Sequence, residues 1–138
     1  PEKFIPTMLA RLENEQSLPL YGDGLYVREW MYVEDHAQAI LLLFEEGKSG
    51  ERYNISTEEE RSNKEVINRL LDEYGRDASA IEYVEDRKGH DRRYAVDSSK
   101  IRNLGWAPQH GFEESLSKVV RWYKHNQTWW QKALNNAA

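Results

Sequence analysis

Apolar residues recur with the spacing of amphipathic helices in several stretches of the chain. The first stripe follows one face of a helix that Pro6 suits in its first turn, and it contains Ile5, Met8, Leu9 and Leu12. A second stripe follows the sequence of a capping box at 62–65 and ends at a glycine. The full pattern predicts helices over 5–14, 34–47, 62–75, 98–104 and from 112 to the region of Trp129-Trp130, where we expect fraying into a polar tail, NNAA.

Shorter stretches have the alternating or continuously apolar pattern of β-strands. Residues 26–33 alternate, and one face of this predicted strand is aromatic and carries Arg28. Segments 56–63 and 85–93 are polar or charged and are predicted loops. The other apolar or alternating segments are 18–21, which a glycine-containing turn ends, and the predicted strands 51–55, 81–84 and 94–96. Four or five helices with a few short strands predict an α/β fold, mixed rather than purely parallel.

The predicted helix that ends at Gly47 has an unusual composition. From Ala37 to Phe44 it is apolar nearly all the way around. A helix on a protein surface normally carries its apolar residues on one face. We therefore expect this helix to be covered on more than one side.

Composition excludes several classes of protein. The chain has 19 Lys and Arg residues against 24 Asp and Glu residues, and its formal charge of −5 argues against non-specific nucleic-acid binding. The longest apolar run, 39–44, is far shorter than the roughly 20 residues that span a bilayer. The absence of cysteine permits a reducing cytoplasm. We predict one cytoplasmic domain of 138 residues, without a membrane partner, in which any anion site is local.

No common catalytic motif is present in the sequence. The chain has no G-x-S-x-G, no P-loop, no H-E-x-x-H and no G-x-G-x-x-G fingerprint. The spacing of its histidines does not suggest shared metal ligands; they are His36, His90, His110 and His125. We therefore predict neither a catalytic residue nor a metal site in this chain.

Polar residues in three places could bind an anion. The loop Glu85–Arg93 carries four cations and three anions, and its arginines and histidine suit phosphate oxygens; the alternative is a solvated loop with internal ion pairs. Arg28 could meet an anion or pair with a carboxylate. Asn63 could reach a ligand from the first turn of its helix or could itself be the cap. Tyr21, beside the glycine turn, could stack on a nucleotide base.

Longer segments resemble one known family. In order along the chain they are PEKFIP, LPLYGDG, VREWMYVEDHAQAI, GERYNI, DRKGHDRRYAVDSSKI and LGWAP. This series resembles the carboxy-terminal part of the dTDP-glucose 4,6-dehydratases, which are extended short-chain dehydrogenases/reductases. The Y-x-x-DH-A and LGW-x-P patterns also occur in nucleotide-sugar epimerases and decarboxylases of that superfamily, whereas DRKGHDRRYAVD, PEK and VREW are more specific.

The resemblance implies an NAD-dependent enzyme in two parts, of which this chain is the carboxy-terminal part that holds a dTDP-sugar. NAD and the catalytic Tyr-x-x-x-Lys pair would belong to an amino-terminal Rossmann domain that the chain lacks. We expect this chain, which begins with proline rather than methionine, to be part of a longer protein and to be inactive alone. The family's substrate-binding positions fall on Lys3, Phe4, Pro19, Leu20, Tyr21, Arg28, Asn63, Asp86, Arg87, Lys88, Gly89 and His90.

The same resemblance implies partners and a reaction. Residues from about 34 to 57 would pack on the Rossmann domain, and exposure of these elements would favour a homodimer or a higher oligomer. The implied reaction oxidises glucose C4 with NAD, removes water across C5 and C6, and returns the hydride to C6.

Two positions depart from the family pattern, and two alternative functions stay open. Lys88 replaces the proline of a DRPGH loop, which we expect to loosen the loop, and Ser56 and Thr57 replace the glycines of an NIGG segment, where the backbone is expected to run differently. One alternative is a fragment of a related nucleotide-sugar epimerase or decarboxylase. The other is a non-catalytic interaction domain whose arginines form surface ion pairs.

Overall fold

The computed structural model describes residues 3–135, which form helices around two small sheets. Pro1, Glu2 and the end of the predicted polar tail, 136–138, lie outside the described residues. The elements in chain order are α1 (Phe4–Glu13), β1 (Leu18–Tyr21), β2 (Val27–Glu29), α2 (Val33–Glu46), β3 (Glu60–Ser62), α3 (Asn63–Tyr74), a 3-10 turn (Ala78–Ala80), β4 (Ile81–Val84), α4 (Ser99–Arg102), α5 (Phe112–His125) and α6 (Gln127–Asn135).

The strands form two separate pairs. β1 and β4 are parallel, with Leu18 opposite Ile81. β2 and β3 are antiparallel, with Arg28 opposite Arg61. The predicted mixed α/β fold is therefore confirmed.

The larger of two apolar cores lies between α1, β1, α3 and α5. Its members come from the predicted helical stripes and from the inward face of β1, and they include Met8, Leu9, Leu12, Leu18, Leu20, Val66, Ile67, Leu70, Leu71, Phe112, Leu116 and Val120. The predicted capping box starts α3: the Ser62 hydroxyl accepts from the Glu65 amide, and the Glu65 carboxylate accepts from the Ser62 amide at 2.7 Å. Gly75 ends α3 in the left-handed conformation, with φ of 61°.

The smaller core joins α2 to α4. It contains Ala39, Ile101 and Trp106, and Tyr53 and Ile55 pack against it. The remainder of α2 is open, because four apolar side chains on it are half to nine-tenths exposed: Val33 (68%), Ile40 (50%), Leu41 (63%) and Phe44 (89%). Within residues 3–135, α2 is thus covered on one side only, although its composition predicts cover on more than one.

A buried carboxylate ties the start of α2 to the loop before α5. Asp35 accepts from the backbone amides of Gln109 (3.0 Å) and His110 (3.2 Å) and contacts the His110 Nδ1 at 2.9 Å, while the Trp106 indole donates to the Asp35 carbonyl at 3.2 Å. Burial acts to raise the pKa of the Asp35 carboxyl, but the hydrogen bonds from Gln109 and His110 outweigh it and the pKa lies below its ordinary value. This contact joins the smaller core to α5.

The strand predictions are partly wrong. The predicted strand 26–33 shrinks to β2, because Val33 already begins α2. The predicted strand 51–55 is absent: the partly buried side chains of Tyr53 and Ile55 pack against the smaller core, but their backbone joins no ladder. The predicted strand 94–96 is absent, and the nearest pairing is one isolated bridge between Val27 and Arg93, just before it. Conversely, the predicted loop 56–63 contains β3, which forms because β2 offers it an edge.

The carboxy-terminal prediction is also wrong. The chain turns at Asn126 and forms a sixth helix, α6, where fraying is predicted. Trp130 is buried and its indole donates to the Tyr123 carbonyl at 3.0 Å, which fastens α6 to α5. The reason is that one tryptophan of the pair finds an apolar site on α5, whereas Trp129 stays two-thirds exposed.

Candidate functional site

A cleft of about 540 Å³ opens where the start of α1, the end of β1, β2 and the loop after β4 meet. It is lined by Lys3, Phe4, Thr7, Met8, Pro19, Tyr21, Arg28, Trp30, Asn63, Arg87, His90 and Tyr94. A neighbouring apolar cavity between α1 and α5 has about 60 Å³ and is too small for a nucleotide. The larger cleft is therefore the candidate site.

The structure brings most of the predicted substrate-binding residues together at this cleft. Those that line it are Lys3, Phe4, Pro19, Tyr21, Arg28, Asn63, Arg87 and His90. The Leu20 side chain instead belongs to the larger core, because β1 alternates and Leu20 faces inward. Lys88 and Gly89 line an adjoining polar cavity of about 190 Å³. Asp86 contacts His90 rather than the cleft. That the lining residues bind a ligand stays a prediction.

Arg28 enters the cleft from β2 and is held by backbone carbonyls. Its Nη1 donates to the Val27 carbonyl at 2.7 Å, and its Nη2 donates to the Asp91 carbonyl at 2.9 Å. The guanidinium carbon lies 4.1 Å from the centre of the Tyr94 ring. Its remaining polar contacts are the Arg92 carbonyl and the His90 ring, so no described carboxylate neutralises it. The alternative of an ion pair is therefore not what the structure shows, and the charge of Arg28 is uncompensated.

Both arginines that line the cleft contact the same ring nitrogen of His90. The Nη2 atoms of Arg28 and Arg87 lie 3.3 Å and 2.9 Å from its Nε2. Because a guanidinium can only donate, we assign the lone pair to Nε2 and the proton to Nδ1. Nδ1 then donates to Asp86 at 2.9 Å. The ring also stacks on Tyr26 with 3.8 Å between centroids, so His90 is held on three sides.

Asp86 organises the loop that carries these groups. Besides His90, its carboxylate accepts from the hydroxyl of Tyr26 and from the backbone amide of Arg87 at 2.8 Å. Gly89 has φ of 70°, which a residue with a side chain adopts at a cost, and the turn closes with the His90 amide donating to the Arg87 carbonyl at 3.2 Å. These local contacts aim Arg87 and His90 at the cleft.

A second set of contacts ties the loop to β2 and to the turn before it. The Val27 amide donates to the Arg92 carbonyl at 2.9 Å, and the Tyr94 amide donates to the Val27 carbonyl at 3.2 Å. The Arg92 guanidinium binds both oxygens of Asp23, at 2.7 and 2.9 Å. Hydrogen bonds from Arg92 and from the Leu25 amide lower the pKa of Asp23 to about 2. The loop predicted to be charged is therefore an ordered wall of the cleft.

Asn63 contributes an unsatisfied polar group. It is the first residue of α3, and its backbone amide donates to the Tyr26 carbonyl at 2.9 Å. Its side-chain oxygen is buried and has no hydrogen-bond partner in the part of the chain that the structure describes. Ser62 is the helix cap, so the alternative that Asn63 is the cap is wrong. A buried polar atom without a partner costs about 1–3 kcal/mol, which a ligand in the cleft would relieve.

Four lining residues are absent from the sequence prediction: Thr7, Met8, Trp30 and Tyr94. Trp30 could have been found, because in the predicted strand 26–33 it lies two residues after Arg28 and therefore on the same face. Tyr94 carried no such signal, since its place beneath Arg28 depends on how the loop folds back on β2.

The cleft is positive in a negative chain. Among residues 3–135, the charged residues that line it are Lys3, Arg28 and Arg87, with no carboxylate, although the chain as a whole has a formal charge of −5. Aromatic rings of Phe4, Tyr21, Trp30 and Tyr94 complete the wall. This combination suits a ligand that carries both phosphate and a flat ring.

Other kinds of site find no support in residues 3–135. No group of three or more metal-ligating side chains that could hold a metal ion is present there. None of the helices in this part of the chain has the length and apolar character needed to cross a membrane.

Comparisons with known proteins agree on one family. The family model described as GDP-mannose 4,6 dehydratase matches residues 1–119. The dTDP-glucose 4,6-dehydratase of Streptomyces griseus is 48% identical over 95% of this chain. The structure of the dTDP-glucose 4,6-dehydratase of Streptomyces venezuelae with NAD and dTDP bound is 46% identical and covers 96% of this chain with a TM-score of 0.91. The UDP-glucose 4-epimerase of Thermotoga maritima, solved with UDP-glucose, is 29% identical over 91% of this chain with a TM-score of 0.84.

The match covers less than half of each relative's own length. The chain spans 40% of the length of the Streptomyces griseus relative, 41% of the Streptomyces venezuelae chain and 40% of the epimerase chain.

Proposed function

This chain belongs to the GDP-mannose 4,6 dehydratase family, and we propose that it is the nucleotide-sugar-binding part of an NAD-dependent dTDP-glucose 4,6-dehydratase. The observation that supports the proposal is the convergence of Lys3, Arg28 and Arg87 on one cleft whose described lining residues include no carboxylate. Cations in such a place lack a partner until an anion arrives. The diphosphate of a dTDP-sugar supplies that anion.

Each wall of the cleft has a role in this proposal. Arg28 and Arg87 hold the diphosphate through charge-assisted hydrogen bonds, with Lys3 as a third positive charge. The Asn63 amide supplies a polar contact, and Tyr21, with the Arg87 guanidinium 5.1 Å from its ring centre, offers a surface to the base. Fixing the nucleotide in this way lets binding energy far from the reacting carbons position the hexose. The proposed outcome is loss of water across C5 and C6 of glucose.

The described residues do not fit NAD. The only parallel strands in residues 3–135 are β1 and β4, and the chain contains no G-x-G-x-x-G between a strand and a helix. We therefore assign NAD, and the oxidation and reduction that it supplies, to a Rossmann half outside this chain.

The open face of α2 gives that half a place to dock. Ile40, Leu41 and Phe44 expose apolar surface on the helix whose other side holds the smaller core. We propose that elements between about 34 and 57 pack on the Rossmann half, that the assembled protein is a homodimer or a higher oligomer, and that it works in the cytoplasm.

The two alternatives differ in how well the cleft supports them. A related epimerase or decarboxylase would use the same cleft for another nucleotide, and the similarity to a UDP-glucose 4-epimerase keeps this candidate in the test. An interaction domain with surface ion pairs is disfavoured, because the polar partners of Arg28 and Arg87 within residues 3–135 include no side-chain carboxylate.

The test is a calorimetric titration of the protein that contains this chain with dTDP, UDP and GDP. We expect dTDP to bind most tightly. Preference for UDP would favour the epimerase alternative, and preference for GDP would favour the substrate in the family's name. No binding of any of the three would contradict the proposal, provided that circular dichroism shows the protein folded.

A further inference from the structure

We propose that His90 couples binding of the diphosphate to the uptake of one proton from solvent. The inference rests on the proposed function, because it requires phosphate oxygens in the cleft. The observation behind it differs from the one behind the proposed function: two guanidinium groups converge on the Nε2 atom of a histidine whose side chain is only 6% exposed. Two donors facing Nε2 require a lone pair on that atom, whereas a phosphate oxygen facing Nε2 requires a proton on it.

The contacts in the free cleft fix which ring nitrogen of His90 carries a lone pair. Arg28 and Arg87 present N–H groups to Nε2, which must accept them with its lone pair. Asp86 accepts the proton on Nδ1 and so fixes this tautomer. A proton on Nε2 would instead face two positively charged donors.

A diphosphate changes the partners of both arginines. Hydrogen bonds between a guanidinium and a phosphate oxygen carry charge on both sides and are stronger than those to a neutral imidazole. Among the described residues, the Arg87 guanidinium has His90 as its one hydrogen-bond partner, so Arg87 is free to turn to the ligand. The lone pair of Nε2 then faces phosphate oxygens, and both sides are acceptors. A solvent proton on Nε2 converts this repulsion into a charge-assisted hydrogen bond.

The groups around His90 fit this change. Those that face it or its stacking partner are Asp86 and Arg87 on its own loop, Arg28 on β2, Tyr21 at the end of β1, Tyr26 beneath the ring, Arg92 on the Tyr26 ring at 5.0 Å, and Lys3 across the cleft. The cations oppose a charged imidazole when the cleft is empty. The phosphate charge cancels that opposition, and Asp86 is already placed to pair with the imidazolium.

The experiment measures the binding enthalpy of a phenyl ester of dTDP in buffers with different ionisation enthalpies, such as HEPES and Tris. Both phosphates of this probe are substituted, so the ligand itself releases or takes up no proton near neutral pH, and it carries no sugar to react. At about pH 7.5, where histidine can change its charge, we expect the enthalpy to vary with the buffer by an amount that corresponds to nearly one proton taken up.

The His90→Gln variant separates this proton from other groups. Its amide oxygen can still accept from the arginines, but it cannot become a cation. We expect the buffer dependence to vanish and the affinity to fall by about tenfold, the effect of losing one charge-assisted hydrogen bond. The matched control is His125→Gln, at the exposed end of α5 outside the cleft, which should keep the proton uptake of the parent protein.

The outcomes distinguish this inference from the proposed function. Binding of the phenyl ester with the same enthalpy in both buffers would overturn the proton uptake and leave the nucleotide site intact. Proton uptake that persists in His90→Gln would assign the proton to another group and overturn the inference as well. Failure of the folded parent protein to bind either dTDP or its ester would overturn both.

Discussion

Replacing Arg28 by alanine tests the cleft most directly. In the free cleft, Nη1 of Arg28 donates to the Val27 carbonyl and one N–H of Nη2 donates to the Asp91 carbonyl. Of its five N–H groups, the one on Nε has no described partner, and the one that faces His90 can be given up. Arg28 can therefore offer a diphosphate one or two charge-assisted hydrogen bonds without losing its anchors on the backbone.

The expected loss follows from that number. A hydrogen bond to a charged group contributes about 1.5–3 kcal/mol, so loss of one such bond weakens dTDP binding by about 10- to 150-fold. The Arg28→Lys variant keeps the charge but lacks the planar fork, and it should fall between the parent protein and alanine.

The assay is calorimetric titration with dTDP, accompanied by thermal unfolding of every variant. Arg69→Ala is the matched control, because Arg69 is an exposed arginine on α3 that pairs with Asp72 and Glu113 outside the cleft. It should bind dTDP like the parent protein. An Arg28→Ala protein that is folded and binds dTDP within a factor of about two of Arg69→Ala would remove Arg28 from the site and refute the argument from its uncompensated charge.

Three further predictions concern other parts of the structure. Asn63→Ala should weaken dTDP binding while leaving the protein equally or more stable in urea, because it removes an unsatisfied buried oxygen; lower stability with unchanged binding would contradict this. Ser62→Ala should lower the free energy of unfolding by about 1 kcal/mol through loss of the α3 cap, measured by urea denaturation against Ser49→Ala, which changes an exposed serine outside the helices. The pKa of Asp35 is lower in the folded protein than the value of about 3.9 for an unfolded chain, so the ionised carboxylate should stabilise the protein above that pH and lose this contribution as the pH falls below it. The difference in unfolding free energy between the parent protein and Asp35→Asn should therefore narrow between about pH 5 and pH 3. A difference that stays constant over this range would argue against the contact with His110.

The helices other than α6 could be predicted from the sequence because their signals are local. The capping box at Ser62, the stripe of α3 and the ending at Gly75 lie within one short segment, and each is found as predicted. The strands could be predicted only in part, because a strand needs a partner that is distant in the chain; 81–84 forms β4 as predicted, but other alternating segments find no partner. Residues 51–55 have the right alternation and no edge to join, whereas 60–62 have a polar sequence and find the edge of β2.

In the candidate site, too, local features could be predicted from the sequence and contacts between distant residues could not. The residue types in the loop after β4 predict an anion site, and the sequence places Arg87 and His90 three residues apart. It contains no sign that Arg28, 62 positions before His90, reaches the same ring nitrogen, or that Tyr94 lies beneath Arg28. These contacts depend on the loop folding back along β2, and only the structure shows that pairing.

The substitution of lysine for proline at position 88 can be weighed against that pairing. A proline stiffens a loop by restricting one backbone angle, and its loss is expected to loosen the loop. In this structure the loop is constrained from outside position 88: Asp86 accepts from Tyr26, from His90 and from the Arg87 amide, and the Val27 backbone holds the carboxy-terminal side of the loop at Arg92 and Tyr94. The side chains that face the cleft are therefore positioned by hydrogen bonds that a proline at 88 would not replace. Lys88 itself lines the adjoining polar cavity, so its added charge raises the positive potential near the cleft without displacing Arg28 or His90.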